Sequence, residues 1–240
     1  MKLIVCENYD EVSACGAKIV AEMIAKKPDC VLGLPTGSTP VGMYKDLAKM
    51  NKEGKVDFSK VTTFNLDEYY QILKTNNQSY RYFMDDNLFN HINIPYENTH
   101  VLNGEAKDPD AECKNYEDMI KKAGGIDLQV LGIGRNGHIG FNEPGTPIDS
   151  RTHMVELTDN TREANARFFA SKDEVPTHSL TMGIGSILDA KQIILLASGP
   201  EKKEAIASLL AENADMSNPA NCLRNHKDVT IICSKDALDK

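Results

Sequence analysis

An apolar run, Ile126–Ile133, leads into the glycine-rich stretch Gly132-Ile-Gly-Arg-Asn-Gly-His-Ile-Gly-Phe-Asn-Glu-Pro144. A strand that ends in Gly-x-Gly lets the backbone adopt positive φ and come close to a ligand. In open α/β sheets, ligands bind in the crevice at the carboxyl ends of parallel strands. The stretch therefore predicts a parallel α/β sheet with a ligand-binding loop after this strand.

Polar side chains are concentrated in that loop. His138 and Glu143 are five positions apart, and Asn136 precedes the histidine by two. A histidine and a carboxylate in one loop can form a catalytic base and the group that orients it. A glycine-rich turn with a hydrogen-bonded histidine is the alternative interpretation, and it is the usual one for a lone Gly-x-Gly.

Further short apolar runs alternate with helical patterns along the chain, as they do in βαβ units. The predicted strands are Lys2–Cys6, Cys30–Leu34, Val61–Asn65, Ile126–Ile133, Lys191–Ala197 and Asp228–Cys233. The predicted helices are one whose apolar face carries Val12, Ile19, Val20, Met23 and Ile24, one that begins at Pro40 with Thr39 as N-cap, and two over Ser79–Ile92 and Asp110–Lys122. We therefore predict an α/β fold, a Rossmann-like sandwich with a largely parallel central sheet flanked by helices.

A chain of 240 residues is most simply one domain. Residues 145–176 are more polar and break the alternation, so we predict an excursion there that acts as a lid over the site. We find no internal repeat, low-complexity tract or linker that would divide the chain.

The composition excludes several classes of partner. The net charge of −8 disfavours binding to nucleic acid or to anionic membranes, so an anionic ligand requires a local cationic pocket.

The six cysteines have no CxxC and no metal-type spacing, and Cys30 and Cys233 are predicted to be buried thiols. The opening apolar run is too short for a signal peptide, and no run is long enough to span a bilayer. We therefore predict a cytoplasmic protein.

A candidate anion site lies in Leu34-Pro-Thr-Gly-Ser-Thr-Pro40, between a predicted strand and a helix start. Backbone N–H groups and the positive end of a helix dipole can bind a phosphate there. An ordinary strand–helix turn with a capping threonine fits the same residues equally well. The stretch is neither a Walker loop nor a G-x-G-x-x-G dinucleotide fingerprint.

A pair of carboxylates, Asp67 and Glu68, follows another predicted strand, Val61–Asn65. Such a pair is usually solvated or caps a helix. Neighbouring residues of an extended segment point to opposite sides, so the two carboxylates are expected to face different surroundings.

Taken together, these segments resemble the glucosamine-6-phosphate deaminase family, also called glucosamine-6-phosphate isomerases, over essentially the whole chain. The Gly-His-Ile-Gly-Phe-Asn-Glu-Pro block is the most specific match. The other matching stretches, in the family's order, are Val31–Pro40, Thr63–Tyr69, Ser150–His153, Thr161–Phe168 and Ser198–Lys202. A small departure is Tyr69-Tyr-Gln-Ile, where many relatives read Tyr-x-Gly-Leu.

The resemblance implies an enzyme that converts glucosamine 6-phosphate and water to fructose 6-phosphate and ammonium, without a cofactor or a metal. Asp67 would remove the proton from C2 of the open-chain sugar, and His138 would open the ring. Glu143 would hydrogen-bond the imidazole. Asn136 is aspartate in some relatives, so the pKa of His138 is expected to be less elevated here than in those relatives.

The resemblance also implies the residues that bind the phosphate. Lys202 is the stronger of the two expected cationic partners, because a cation at a helix N-terminus is unfavourable without an anion. Its neighbour Lys203 is expected to be dispensable. The implied phosphate contacts are Thr36, Gly37, Ser38, Thr39, Arg167 and Lys202.

Two other functions remain as alternatives. A 6-phosphogluconolactonase also has a Gly-His loop, but its pattern continues with Ser-Leu-Phe-Pro rather than Gly-Phe-Asn-Glu-Pro. A sugar-phosphate sensing domain would be expected to carry an appended helix-turn-helix, and the acidic charge opposes DNA binding.

Regulation is expected to differ from that of the longer family members, which are hexamers activated by N-acetylglucosamine 6-phosphate. The sequence ends before their C-terminal extension, and His153 and Val155 occupy the positions of the activator's cationic contacts. We therefore expect a monomer or small homo-oligomer without this activation.

Overall fold

The computed structural model of the chain describes residues 1–166, 169, 171 and 174–238. Seven strands form a parallel sheet in the order β1-β10-β9-β6-β2-β3-β5, and three form an antiparallel sheet in the order β4-β8-β7. The strands are β1 Lys2–Cys6, β2 Val31–Leu34, β3 Thr62–Asn65, β4 Asp67–Tyr69, β5 Thr99–His100, β6 Leu128–Leu131, β7 His153–Glu156, β8 His178–Thr181, β9 Gln192–Ala197 and β10 Val229–Ser234.

Helices cover both faces of the parallel sheet. They are α1 Tyr9–Lys26, α2 Val41–Lys52, α3 Tyr80–Asn87, α4 Pro109–Lys122, α5 Asp159–Ala166, α6 Ile184–Leu188 and α7 Lys203–Leu210. Alternate residues of each strand point to opposite faces. Leu32 therefore packs with α1, α2 and α3 in one apolar cluster, whereas Val31 packs with α4, α6 and α7 in another. The predicted sandwich with a largely parallel sheet is confirmed.

All six predicted strands are present within one or two residues at each end. Cys30 and Cys233 are buried free thiols, as predicted. Within the described ranges, no helix is long and apolar enough to cross a membrane. The sequence reasoning missed the antiparallel sheet, because β4, β7 and β8 are short and carry polar residues that obscure an apolar period.

Two helix boundaries differ from the prediction. Pro40 rather than Thr39 is the N-cap of α2, and no side chain caps this helix. The predicted helix Ser79–Ile92 ends at Asn87, and a separate 3-10 turn follows it. Ser79 caps α3 by accepting a hydrogen bond from Tyr82 N, which is why the helix begins where the sequence predicts.

Gln71 follows β4 and adopts φ of +63°, and it is the only non-glycine residue with positive φ in the described part of the chain. Its N–H donates to Gly104 O at 2.7 Å, which holds this conformation. Glycine adopts this left-handed conformation without strain, whereas glutamine adopts it at a cost. In this chain a glutamine occupies the left-handed position.

Candidate active site

Four loops meet at one edge of the parallel sheet. They follow β9, β6, β2 and β3, which are adjacent strands in this order. The carboxyl ends of parallel strands lie at the same edge, so these loops bring together the sequence-predicted residues that the structure describes. The chain runs outward from β2 to β3 and β5, then returns to β6 on the other side. The site therefore lies at the topological switch point, where α/β sheets bind their ligands.

The loop after β6 contains the predicted histidine and its partners. His138 Nδ1 lies 2.7 Å from Asn136 Oδ1, and Asn136 Nδ2 donates to Glu143 Oε2 at 2.6 Å. His138 Nδ1 and Glu143 Oε1 are 3.9 Å apart. The expectation that Glu143 hydrogen-bonds the imidazole is therefore wrong for this structure. Asn136 lies between the two side chains and contacts both.

The hydrogen bonds assign the tautomer of the imidazole. Because the Asn136 amide donates its N–H to Glu143, its oxygen faces the ring and accepts from His138 Nδ1–H. Nε2 is then the unprotonated nitrogen. A Cβ at Gly134 would lie 2.1 to 2.4 Å from atoms of the ring, so only glycine lets the imidazole occupy this position.

The surroundings of the imidazole lower its pKa and so favour the neutral form. Burial lowers the pKa of His138, Glu143 acts in the opposite direction, and the positive charge of Lys202 lowers it further. A neutral imidazole with a free Nε2 can accept a proton from a ligand hydroxyl. Burial is the largest of the three effects, and it could not be predicted from the sequence.

Asp67, the first residue of β4, is 6% exposed. Burial, and to a lesser extent the neighbouring Glu68, raises the pKa of Asp67 to about 8. Its Oδ1 has no hydrogen-bond partner among the described residues. A carboxylate of this kind is suited to accept a proton near neutral pH.

Glu68 points away from Asp67, as expected for neighbours in a strand. Its carboxylate accepts hydrogen bonds from the backbone N–H groups of Tyr69, Tyr80 and Arg81, at 2.8, 2.8 and 2.9 Å. Burial raises the pKa of Glu68 to about 7, although these three donors act in the opposite direction. Glu68 therefore holds the first turn of α3 against β4, and Asp67 is the carboxylate available for chemistry.

The turn between β2 and α2 has the features of an anion site. Gly37 is exposed with φ of +88°. The backbone N–H groups of Thr36, Gly37, Ser38 and Thr39 donate no hydrogen bond to any described residue. These donors stand at the N-terminus of a twelve-residue helix, whose dipole favours an anion.

Two tyrosines that the sequence reasoning missed hold this turn in place. Tyr9 donates to Ser38 O at 3.0 Å and accepts from Gly42 N at 2.8 Å. The buried Tyr44 donates to Pro35 O at 2.5 Å. Tyr9 lies far from the turn in sequence, so no local motif links the two.

Lys202 lies in the segment after β9, which turns at Gly199, where φ is +98°. Burial lowers the pKa of Lys202; Glu201 acts against this effect, and Arg135 adds to it. Among the described residues, Lys202 forms no ion pair. A half-buried cation of this kind is suited to an anionic ligand. The other predicted cation, Arg167, lies outside the described residues.

Asn218 is a further residue at the site that sequence reasoning missed. Its Nδ2 donates to Asn136 O at 3.3 Å, and Ala220 N donates to Gly137 O at 2.9 Å. Gly137 has φ of +81°, and a Cβ there would lie 2.1 Å from Asn218 Oδ1. The segment around Asn218 therefore holds the backbone of the histidine loop through hydrogen bonds to Asn136 and Gly137.

Comparison with known proteins assigns the family. A family model described as glucosamine-6-phosphate isomerases/6-phosphogluconolactonase matches residues 8–232. The chain belongs to this family. A glucosamine-6-phosphate deaminase of Clostridioides difficile (strain 630) is 54% identical over 240 residues, which cover 100% of this chain and 96% of that protein. One of Thermoanaerobacter sp. (strain X514) is 56% identical over 237 residues, which cover 99% and 94%.

Solved structures in the isomerase/lactonase family share the fold. A monomeric glucosamine-6-phosphate deaminase superposes with a TM-score of 0.96 at 47% identity and covers 99% of this chain and 98% of its own. A 6-phosphogluconolactonase from Trypanosoma cruzi superposes with a TM-score of 0.77 at 22% identity, covering 98% and 95%. The lactonase likeness concerns the fold alone. In the described ranges, no group of three or more His, Cys, Asp or Glu could hold a metal ion.

Proposed function

We propose that this chain is a glucosamine-6-phosphate deaminase, which converts D-glucosamine 6-phosphate and water to D-fructose 6-phosphate and ammonium. The full-length relatives that carry this name support the proposal. So does the near-complete superposition on a solved deaminase.

The observation that carries the proposal is the position of Asp67 beside the histidine loop. A Cβ at Gly140 would lie 3.6 Å from Asp67 Oδ2, so the loop passes close to the carboxylate. A buried carboxylate with a raised pKa and an unpartnered oxygen is the base that aldose–ketose isomerisation requires.

In the proposed mechanism, His138 acts first. Nε2 accepts the proton of the C1 hydroxyl as the bond between C1 and the ring oxygen breaks, and the imidazolium returns a proton to that oxygen. Asn136 accepts from Nδ1–H throughout, and the negative charge of Glu143 stabilises the transient imidazolium.

Asp67 acts on the open-chain sugar. It takes the C2 proton while the C1 carbonyl oxygen gains a proton, which leaves a double bond between C1 and C2. Return of a proton to C1 lets the nitrogen lone pair form a C2=N bond, so the amine on C2 becomes a protonated imine. Water adds to C2, a proton passes from the added water to the nitrogen, and ammonia leaves and takes up the second proton of that water, so that ammonium and the ketone of fructose 6-phosphate remain.

The phosphate is proposed to bind at the turn of Thr36, Gly37, Ser38 and Thr39, with Lys202 and Arg167 as cationic partners. The free N–H groups of that turn and the burial of Lys202 support this assignment.

We also propose that the segment of about 145–176 closes over the bound sugar as a lid. The enzyme is proposed to act without a cofactor, as a cytoplasmic monomer or small homo-oligomer.

The test is to incubate the purified protein with glucosamine 6-phosphate and to measure ammonium and fructose 6-phosphate together. Both products should appear in equal amounts. Absence of both would refute the proposal, and hydrolysis of 6-phosphogluconolactone instead would favour the lactonase alternative. Binding of the sugar phosphate without turnover would favour a sensing domain.

A further inference from the structure

Thr181, the last residue of β8, connects the two halves of the proposed active site. It lies opposite Asp67 in the antiparallel pair of β8 and β4. Its side chain is fully buried, and its hydroxyl oxygen accepts a hydrogen bond of 3.1 Å from Phe141 N in the histidine loop. One residue therefore contacts the strand of the proposed base and the loop of the proposed ring-opening histidine.

The contact lies at the closest approach of these two parts. A Cβ at Gly140 would lie 2.9 Å from Thr181 Oγ1 and 3.6 Å from Asp67 Oδ2. The Gly140 backbone thus runs beside the hydroxyl and the carboxylate, with φ of +58°. Any shift of this backbone would change the separation between the loop and Asp67.

A second contact explains why one hydroxyl can determine the loop position. Asn142 Nδ2 donates to Met182 O at 2.8 Å and to Ile139 O at 2.9 Å. Met182 N donates to Leu66 O at 2.7 Å, beside Asp67. The Asn142 amide therefore ties the loop to the residue after β8, and the hydroxyl of Thr181 ties Phe141 N to the last residue of β8, beside Asp67.

We propose that Thr181 is a positioning residue, which sets the distance between the carboxylate of Asp67 and the loop that carries His138. The inference rests on the proposed function, because both residues must act on neighbouring carbons of one sugar. Without the hydroxyl, the buried Phe141 N–H has no acceptor, and the loop would move to find one. Because alignment errors of about 1 Å can cost about 100-fold in rate, even a small movement would reduce turnover.

The experiment compares three variants of the full chain. Thr181→Val keeps the shape and removes the hydroxyl, and Thr181→Ser keeps the hydroxyl. Ser179→Ala is the matched control, because Ser179 is also buried on β8, two positions away, and its hydroxyl donates to Glu68 O rather than to the loop. If Thr181→Val is insoluble, Thr181→Ala takes its place.

We expect Thr181→Val to lower kcat for ammonium release by about 10- to 100-fold, with a much smaller change in KM. Thr181→Ser should restore most of kcat, and Ser179→Ala should keep kcat within about threefold even where its melting temperature falls as far as that of Thr181→Val. Unchanged kcat in Thr181→Val, or an equal loss of kcat in Ser179→Ala, would overturn the inference.

A second measurement does not depend on activity. Hydrogen exchange of the Phe141 amide should be faster by about 10-fold or more in Thr181→Val and nearly unchanged in Thr181→Ser, because only the first loses the acceptor. Equal protection in wild type and Thr181→Val would overturn the geometry. A wild-type protein that is inactive on glucosamine 6-phosphate but shows this exchange pattern would instead refute the proposed function.

Discussion

In the active-site loop, 3.9 Å separates His138 Nδ1 from Glu143 Oε1, which is too far for a hydrogen bond between these atoms. The amide of Asn136 occupies the space and bonds to both side chains. The imidazole therefore has a neutral neighbour, and the negative charge of Glu143 acts on it from a greater distance. Substitution of either Asn136 or Glu143 should consequently change the pKa of His138.

Replacement of Asn136 by aspartate should raise the pKa of His138, because a carboxylate would contact Nδ1–H directly. Glu143→Gln should lower the pKa, since the existing negative charge raises it. The measurement is an NMR titration of the imidazole, with the exposed Asn90→Asp as a control for the added charge. An unchanged or lower pKa in Asn136→Asp would contradict the assigned geometry.

Asp67→Asn should abolish deamination, because the amide has nearly the same shape but cannot accept the C2 proton. Exchange of the C2 hydrogen with deuterated solvent should fall by about 100- to 10,000-fold. Glu68→Gln is the control: it should keep exchange but lower the melting temperature, since Glu68 accepts three backbone N–H groups. Near-normal exchange in Asp67→Asn would show that another group is the base.

The stability of the protein should also depend on the ionisation of Asp67. Its pKa is about 8 in the folded protein and ordinarily 3.8, so folding favours the protonated acid. That contribution is fully present below about pH 4 and is lost as the pH rises to about 8, on the order of 5 kcal/mol in free energy of unfolding. Asp67→Asn, which cannot ionise, should therefore become increasingly more stable than wild type between pH 4 and 8. A constant difference in urea denaturation across this range would contradict the raised pKa.

Lys202→Ala should weaken binding of the sugar phosphate, because a charge-assisted hydrogen bond contributes about 1.5–3 kcal/mol. The expected rise in KM is therefore about 10- to 150-fold, with a smaller effect on kcat. Lys203→Ala is the matched control, since Lys203 is the adjacent residue at the start of α7. If Lys203→Ala raises KM and Lys202→Ala does not, the phosphate site is misplaced by one residue. Arg167→Ala is expected to act like Lys202→Ala.

N-acetylglucosamine 6-phosphate should not activate this enzyme. Two residues occupy the positions of the activator's cationic contacts. Val155 packs against an apolar cluster, and His153 Nδ1 lies 2.8 Å from Arg151 O. An effector without differential binding to two states cannot shift their balance. Rate curves against glucosamine 6-phosphate should be hyperbolic and unchanged by the compound. A sigmoidal curve that becomes hyperbolic on its addition would contradict this expectation.

Six of the seven strands of the parallel sheet could be predicted from sequence, and the central strands among them are buried on both faces; the missed strand, β5, has two residues. β2, β6, β9 and β10 are rich in Val, Ile and Leu, although Gln129 interrupts β6 and Thr230 interrupts β10. β4 could not be recognised in this way. Its three residues, Asp-Glu-Tyr, are buried by tertiary contacts that leave no apolar period in the sequence.

The residues of the histidine loop could also be predicted, because Asn136, His138 and Glu143 lie within eight positions and the glycines between them allow a tight turn. Their hydrogen-bond order could not. Whether an amide or a carboxylate contacts the imidazole depends on side-chain directions within the folded loop. The lowered pKa of His138 likewise follows from burial in the folded chain and from the charge of Lys202, which is distant in sequence.

The sequence by itself determined the alternation of strands and helices, the loop chemistry and the pair of carboxylates after β3, since each is a property of neighbouring residues. The tertiary structure decided which carboxylate is free and which supports α3. It also decided that Thr181 contacts Phe141 across 40 positions and that Asn218 contacts Asn136 across 82. The physical reason is that periodicity and motif spacing report local conformation, whereas burial and hydrogen-bond partners depend on segments that approach only in the folded chain.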